Sequence, residues 1–227
     1  MATIPDREDS CIKCVQSLVD IEPPFDRIVV NIPVKFMRMK KPYPTWAIEK
    51  LRALDPRVEV RRNPRDFGPG TKYFGFGRGS DEFTFICDDD RGYTSELLQA
   101  LIQKMAEVKA KRGRFCVIQN PRKHKRLMGV HGLLCPPGCV KGYKAYLKKL
   151  PRETWEIDDD TFQSFIRIKR IPLVFLPKFY PKIHFYEEKV KAPHSLSNDR
   201  ARRKRIQRTL KRFLEGVKHK SNLISFK

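Results

Sequence analysis

The stretch Phe83-Thr-Phe-Ile-Cys-Asp88-Asp89-Asp90 is the strongest indication of the fold, because a short apolar run of strand type ends there in three adjacent carboxylates. Neighbouring negative charges repel one another unless a cation lies among them. Ligands of open α/β sheets bind beyond the carboxyl ends of strands, and carboxylate oxygens suit the hard ions Mg²⁺ and Mn²⁺ better than Zn²⁺. The stretch therefore predicts a strand that delivers metal ligands, with an acidic turn before a helix near Thr94 as the alternative.

A second acidic triplet, Asp158-Asp159-Asp160, lies far along the chain. One such triplet is rare among 227 residues with 14 aspartates, and two are rarer still. Two carboxylate clusters suit an enzyme in which one cluster holds a metal and the other contains a base. The alternative is that the second triplet only caps the helix that follows it.

The residues around the first triplet alternate between helical and strand patterns. The very short run Ala2-Thr3-Ile4 is expected to open the sheet. Helices are expected at 7–19, 46–54 and 94–111, and strands at 26–32, 57–61, 83–87 and 115–119. This order predicts an α/β fold of Rossmann type, with a mostly parallel sheet flanked by helices.

The second half of the chain is less regular and ends in a basic segment. Strands are expected at 127–134, 172–176 and 183–186, and helices at 142–150 and 161–170. From residue 198 onward, apolar residues recur at helical spacing among basic ones, namely Ile206, Leu210, Phe213, Leu214 and Val217. This pattern predicts a basic amphipathic C-terminal helix, which either packs on its own domain or lies on an anionic membrane surface through residues 198–220.

The net charge of +22 is concentrated in the second half of the chain. Residues 1–110 carry 18 Lys and Arg against 17 Asp and Glu, whereas residues 111–227 carry 30 against 9. This asymmetry indicates an anionic partner or a strongly solvated surface. The chain lacks both an apolar run of about 20 residues and a signal-peptide core, so we expect a cytoplasmic protein, membrane-peripheral at most, or a fragment of a larger one.

Six cysteines raise the question of a structural zinc site. Cys11-x-x-Cys14 and Cys135-x-x-x-Cys139 could together supply four sulfur ligands. The pairs are more than 120 residues apart, and the first falls on an expected helix, which disfavours zinc. Cys87 and Cys116 lie in apolar runs and are expected to be buried. No Gly-x-x-x-x-Gly-Lys-Ser/Thr motif is present, which excludes a P-loop.

Four motifs together carry a resemblance that covers about residues 2–180. They are Thr3-Ile4-Pro5-Asp6-Arg7, Asp66-Phe-Gly-Pro-Gly-Thr71-Lys72, Asp88-Asp89-Asp90-Arg-Gly-Tyr93 and Asp158-Asp159-Asp160-Thr-Phe. In this combination the chain resembles GT-A-type glycosyltransferases that use nucleotide sugars, of the small kind found among large algal viruses and bacteria. The resemblance implies a domain at 1–195, with a nucleotide-binding half (1–110) and an acceptor half (111–195), followed by the basic tail at 196–227.

The resemblance also implies a donor site in the first half, for a nucleotide diphosphate sugar with UDP expected rather than GDP. Asp88 and Asp90 would hold Mn²⁺ or Mg²⁺ on the two phosphates, and Asp90 is the first choice as a direct ligand. The nucleotide sugar would be bound by Thr3, Pro5, Arg7, Asp66, Lys72 and Asp89. As alternatives, Asp66 could only cap a turn, and Lys72 could be an ordinary helix residue.

The same resemblance implies that one of Asp158, Asp159 and Asp160 is the base that deprotonates a hydroxyl of a glycan or glycoprotein acceptor. This role requires inversion at the anomeric carbon. Two other functions stay open at this point. One is a nucleic-acid-binding protein or metal-dependent nuclease that uses the basic second half, and the other is a non-catalytic module that recruits partners or membrane through its tail.

Overall fold

The computed structural model describes residues 1–36, 41–74, 82–113, 117–119, 127–177, 184–185 and 199–219. The first half contains α1 (Glu8–Val19), β1 (Ile28–Pro33), α2 (Thr45–Leu54), β2 (Val58–Asn63), a 3-10 helix (Gly68–Tyr73), β3 (Thr84–Ile86), β4 (Arg91–Gly92) and α3 (Ser95–Arg112). The second half contains β5 (Val117–Gln119), a 3-10 helix (Gly129–His131), β6 (Leu133–Cys135), α4 (Tyr143–Lys149), a 3-10 helix (Arg152–Glu156), α5 (Asp158–Ile168), β7 (Leu173–Phe175), β8 (His184–Phe185) and α6 (Arg200–His219).

The helices expected from the sequence are confirmed, with small shifts at their ends. Thr94 caps α3 by accepting a hydrogen bond from the backbone N of Leu97, at 3.4 Å. The largest differences lie in the second half. The expected strand at 127–134 is divided into a 3-10 turn and β6, because Gly132 has a positive φ of 74° that bends the chain. The helix expected at 161 begins at Asp158, so the second acidic triplet forms its first turn, where the helix dipole favours negative charge.

The expectation of a mostly parallel sheet is only partly confirmed, because the described strands form a mixed α/β architecture. β1 and β2 pair in parallel, and Ala2 adds one parallel bridge to Asn31. A four-stranded sheet has the order β3-β6-β5-β7, in which β6 runs antiparallel to both of its neighbours and β5 pairs with β7 in parallel. β4 and β8 form a short antiparallel pair. The insertion of β6 between β3 and β5 is what makes the sheet mixed.

Two apolar cores lie on opposite faces of the four-stranded sheet. Because side chains alternate along a strand, Ile118 and Leu134 point into one core while Val117 and Leu133 point into the other. The first core is covered by α1, α2 and α3, and the second by α4, α5 and α6. The second core also contains Tyr73 of the 3-10 helix at Gly68–Tyr73 and the flanking Phe67 and Phe74, so this segment before β3 packs among the helices of the second half.

The C-terminal helix α6 packs on its own domain. Ile206 and Leu210 are buried in the second core, with Phe213 and Leu214 packed against it, whereas the side chain of Val217 lies outside the described residues. Arg202 forms a 2.8 Å ion pair with Glu156. Among the residues of α6 whose side chains the structure describes, six cations are exposed on one side, and we name them the basic face: Arg200, Lys204, Arg205, Arg208, Lys211 and Arg212. In the described chain, none of the helices combines the length and the hydropathy needed to cross a bilayer.

The cysteines lie in two separate places. Cys11 and Cys14 are buried in the first core, whereas Cys135 and Cys139 are buried in the second, so these four thiols do not converge on one zinc ion. Cys87 is buried as expected, and Cys116 lies outside the described residues.

Candidate functional site

The two acidic triplets meet at one buried lysine. The Nζ atom of Lys72 lies 2.5 Å from Asp88 Oδ1, 2.6 Å from Asp158 Oδ2 and 3.7 Å from Asp159 Oδ1. The lysine side chain is only 5% exposed. Burial alone lowers the pKa of Lys72, but the charges of these three carboxylates outweigh it and raise the pKa well above its ordinary value. Lys72 therefore stays charged and holds the end of β3 against the first turn of α5.

A turn before the 3-10 helix positions Lys72. Asp66 Oδ1 accepts a 2.7 Å hydrogen bond from the backbone N of Gly68, and Thr71 Oγ1 donates one of 2.7 Å to the carbonyl of Gly68. Gly68 has a φ of 67°, and a Cβ there would lie 3.0 Å from the backbone oxygen of Trp155. This position thus requires glycine. Asp66 thus caps a turn, which the sequence left as an alternative.

Asp159 of the second triplet is held by two hydrogen-bond donors and has a raised pKa. Its Oδ1 atom accepts hydrogen bonds of 2.9 Å from Tyr73 Oη and from the backbone N of Gly129. Burial and the charge of Asp158 raise the pKa of Asp159 to about 7, although Lys72 acts in the opposite direction. The side chain is still 19% exposed, so solvent contacts it.

Asp160 faces a different neighbour from the other two members of its triplet. Its Oδ2 atom accepts a 3.0 Å hydrogen bond from Gln207 Nε2 on α6. Asp158 and Asp159, in contrast, both lie within 4 Å of Lys72 Nζ. The three carboxylates that the sequence grouped as base candidates are therefore divided between the lysine and α6.

In the first triplet the middle carboxylate is buried and the outer two are accessible. Asp89 is 5% exposed and accepts a 3.0 Å hydrogen bond from Arg7 Nη1, which also lies 3.6 Å from Asp90. The charge of Asp89 raises the pKa of Arg7. Asp88 and Asp90 are 28% and 26% exposed, and Arg91 Nε lies 3.3 Å from Asp90 Oδ1. Burial and the negative charges of Asp89 and Asp88 raise the pKa of Asp90.

The N-terminal motif supplies one of the two arginines beside this cluster. Thr3 and Pro5 are buried beside the single bridge to β1, and the backbone N of Thr3 donates a 3.4 Å hydrogen bond to Asn31. Arg7 follows as the N-cap of α1 and reaches the first triplet. Thr3, Pro5 and Arg7 were all predicted to bind the nucleotide sugar, and of these three Arg7 is the one whose side chain is hydrogen-bonded to the acidic cluster.

The donor set fits a metal that is shared with a substrate. Within the described parts of the chain, no three His, Cys, Asp or Glu side chains are grouped so that they could hold a metal ion by themselves. Mg²⁺, however, is commonly bound through one or two carboxylates together with phosphate oxygens and water. Asp88 and Asp90 satisfy that lesser requirement. The buried Asp89 Oδ2 atom has no hydrogen-bond partner among the described residues, and a nearby cation would stabilise its negative charge.

Two residues of the site could not be singled out from the sequence. Tyr73 directly follows Lys72, and the only signal for it was this adjacency. Gly129 was placed on an expected strand, yet its backbone N binds Asp159, and a Cβ there would lie 2.5 Å from Lys72 Nζ. No protein-family model matches this chain, and no curated protein matches it either. The function must therefore be inferred from the side chains of the site.

Proposed function

We propose that this chain is a metal-dependent glycosyltransferase that moves a sugar from a nucleotide diphosphate sugar, with UDP as the expected nucleotide, to a hydroxyl group of a glycan acceptor. The observation that carries the proposal is that Lys72 joins Asp88 at the end of β3 to Asp158 and Asp159 on α5. Transfer with inversion needs a cation-binding group on the leaving-group side and a base on the acceptor side. The mixed sheet and the order of the four motifs are compatible with a GT-A-like fold, and we propose this fold together with the activity.

On the donor side, the accessible carboxylates Asp88 and Asp90 would hold Mn²⁺ or Mg²⁺. When bound, such an ion neutralises the negative charge that develops on the leaving diphosphate. Two protein cations lie next to these carboxylates, Lys72 beside Asp88 and Arg7 beside Asp90. Asp89 binds Arg7 and so keeps its guanidinium beside the cluster. Thr3 and Pro5 set the path of the chain that leads to this arginine.

On the acceptor side, Asp159 is the proposed general base. A base works best when its pKa lies near the pH of the reaction, and the pKa of Asp159 is raised to about 7. Tyr73 and Gly129 both donate to Oδ1, so we assign the transferred proton to Oδ2. Asp160 contacts α6 instead and serves as the natural comparison within the same turn.

Calorimetric titration with UDP and GDP in Mn²⁺, repeated in EDTA, tests the donor site. We expect one nucleotide to bind only when metal is present. Asp90→Asn should weaken that nucleotide binding by about tenfold or more. Removal of a residue that only hydrogen-bonds to a metal ligand already lowers metal affinity by about 10- to 100-fold. Asp160→Asn is the control and should bind as the unchanged protein does. A panel of sugar donors with the preferred nucleotide then tests transfer itself, and full transfer by Asp90→Asn would contradict the metal assignment.

The basic face of α6 favours a second candidate function, the binding of a nucleic acid. Six exposed cations on one helix side would contact phosphates, and the affinity would then fall steeply as salt increases. A salt titration with single-stranded and duplex DNA and RNA separates this function from sugar transfer, with anionic vesicles as a third ligand. Salt-sensitive nucleic-acid binding without any nucleotide binding in Mn²⁺ would favour the second candidate.

A further inference from the structure

The helix α6 lies beside the first turn of α5, where the candidate base Asp159 is located. Gln207 Nε2 donates a 3.0 Å hydrogen bond to Asp160 Oδ2, so α6 contacts the residue that directly follows Asp159. Arg202 also pairs at 2.8 Å with Glu156, which belongs to the 3-10 helix just before α5. Because of these two contacts, the side of α6 that carries Gln207 borders the acceptor side of the proposed site.

The basic face begins on this same side of the helix. Residues that are three, four or seven positions apart share one side of an α-helix. Arg200 and Lys204 precede Gln207 by seven and three positions, so they lie on its side of α6. Arg205 and Arg212, at separations of two and five positions, are directed away from it. Seven residues cover about 10 Å of helix, so the cations form a path that leads outward from the second triplet.

The cations of the basic face are available to a partner. The contact with the second triplet is made by the neutral amide of Gln207 and not by one of the cations. Within the described residues, Lys211 is the one member of the basic face with an ion pair, at 3.8 Å from Glu215. An anion that lies along α6 therefore meets several cations without displacing a carboxylate of the described chain.

The surface of α6 favours one kind of anionic partner over others. Single-stranded nucleic acids are held by aromatic side chains on which bases stack, and membrane-surface helices insert an apolar face. Among the described residues, none of the exposed large apolar side chains belongs to α6, and its apolar stripe is buried in the second core. Charge without stacking or insertion fits an acidic glycan. A nucleic-acid duplex needs no stacking either, but the position beside Asp159 favours a substrate of the site.

We propose that the basic face extends the acceptor site, and that the acceptor is an acidic glycan with carboxylate groups along its chain. This inference rests on the proposed function, because it identifies the substrate that Asp159 deprotonates. The reacting hydroxyl lies at Asp159, and the acidic sugars further along the glycan lie against Arg200 and Lys204. The reacting sugar itself is uncharged, since the two acidic triplets repel a carboxylate.

The first test measures how a hexasaccharide of galacturonic acid binds to the whole protein without added metal, with a hexasaccharide of glucose as the uncharged comparison. We expect the acidic glycan to bind about tenfold more tightly and to lose affinity as salt increases, because salt screens exposed charges. Its binding should also shift the amide NMR signal of Gly129, whose N–H is bonded to Asp159. Equal binding of the neutral glycan, or an unchanged Gly129 signal, would overturn the proposal.

Two double variants that remove equal charge distinguish a directed contact from general attraction. Arg200→Gln with Lys204→Gln, on the side nearest the second triplet, should weaken binding of the acidic hexasaccharide by about fivefold. Arg205→Gln with Arg212→Gln, on the far side, should weaken it by less than about twofold. All four side chains are exposed, so both variants should fold as the unchanged protein does. Equal weakening in the two variants would contradict the proposed path of the glycan.

Further ligands separate this inference from other partners and from the proposed function. Tighter binding of single-stranded or duplex RNA, or of phosphatidylserine vesicles, with the same dependence on Arg200 and Lys204 would refute it in favour of that partner. If UDP or GDP binds in Mn²⁺ but the acidic hexasaccharide does not bind, this inference fails while the proposed function stands. If the hexasaccharide binds but neither nucleotide does, the proposed function fails, and the acceptor role of the basic face fails with it.

Discussion

Replacement of Lys72 by methionine gives the most quantitative test of the site, because Met keeps most of the length of the side chain and removes its charge. The lysine is 5% exposed and lies 2.5 Å from Asp88 and 2.6 Å from Asp158. Removal of one partner from a buried ion pair costs about 3–5 kcal/mol. Asp88 and Asp158 retain 28% and 14% of their exposure, so water can partly solvate them. We therefore expect a loss near the lower end, about 3 kcal/mol in the free energy of unfolding.

Lys104→Met is a matched control because it breaks an ion pair of the same length in a different environment. Lys104 Nζ lies 2.5 Å from Glu107 Oε2 on α3, and these side chains are 26% and 46% exposed. Exposed pairs of this kind contribute about 0.2–1 kcal/mol. Urea unfolding of both variants at neutral pH measures the difference. If Lys72→Met costs no more than Lys104→Met, the buried lysine does not hold the two triplets together.

The pH dependence gives the same test a definite sign. Burial raises the pKa of Asp88, but the charge of Lys72 outweighs it, and the folded-state pKa lies below its ordinary value. The stability from this pair is therefore present above the unfolded-state pKa and is lost as the pH falls through the folded-state pKa. In Lys72→Met the folded-state pKa of Asp88 rises. As the pH falls, its unpaired charge is therefore neutralised at a higher pH in the variant than in the unchanged protein. The difference in unfolding free energy between the unchanged protein and Lys72→Met should shrink from pH 7.5 to pH 5, and a difference that widens would contradict this linkage.

Two smaller predictions concern neighbours of the lysine. If Asp159 is the base, the transfer rate should fall as the pH drops below about 7, because the protonated carboxyl cannot accept a proton. Asp159→Asn should lower turnover by about 10²–10⁴ and abolish this acidic limb of the pH–rate profile. Asp160→Asn should retain the limb. Gly129→Ala should cost about 1–3 kcal/mol in thermal or urea unfolding, because its Cβ would meet Lys72 Nζ at 2.5 Å. Gly216→Ala, with nothing within 4 Å of its Cβ, should instead be neutral or stabilising, and equal effects would contradict the crowding argument.

The helices could be predicted from sequence because their signals are local. In α1 the buried residues Ile12, Val15 and Leu18 recur at helical spacing, and the cap at Thr94 precedes α3 directly. Strand pairing is not local. Nothing in the residues of β6 says that it lies between β3 and β5, because that position depends on how the two cores cover the opposite faces of the sheet. The mixed order was therefore missed.

The site could be predicted in part for the same reason. Carboxylate triplets carry their chemistry in their composition, so Asp88–Asp90 and Asp158–Asp160 were recognised before their positions were known. The ion pairs by which Lys72 contacts both triplets were not predicted, because the lysine precedes Asp158 by 86 positions in sequence. Gly129 was missed because it acts only through its backbone N and its lack of a side chain.

Lys72 connects stability and proposed chemistry, and a charge-preserving substitution can separate the two. Its charge lowers the pKa of Asp159 against the effects of burial and of Asp158. Loss of this charge in Lys72→Met should therefore move the acidic limb of the transfer profile to higher pH. Lys72→Arg keeps the charge but crowds a site that is already tight at Gly129, so it should lose stability while the limb stays near pH 7. If the limb moves equally in both variants, the pKa of Asp159 follows the packing around the lysine and not its charge.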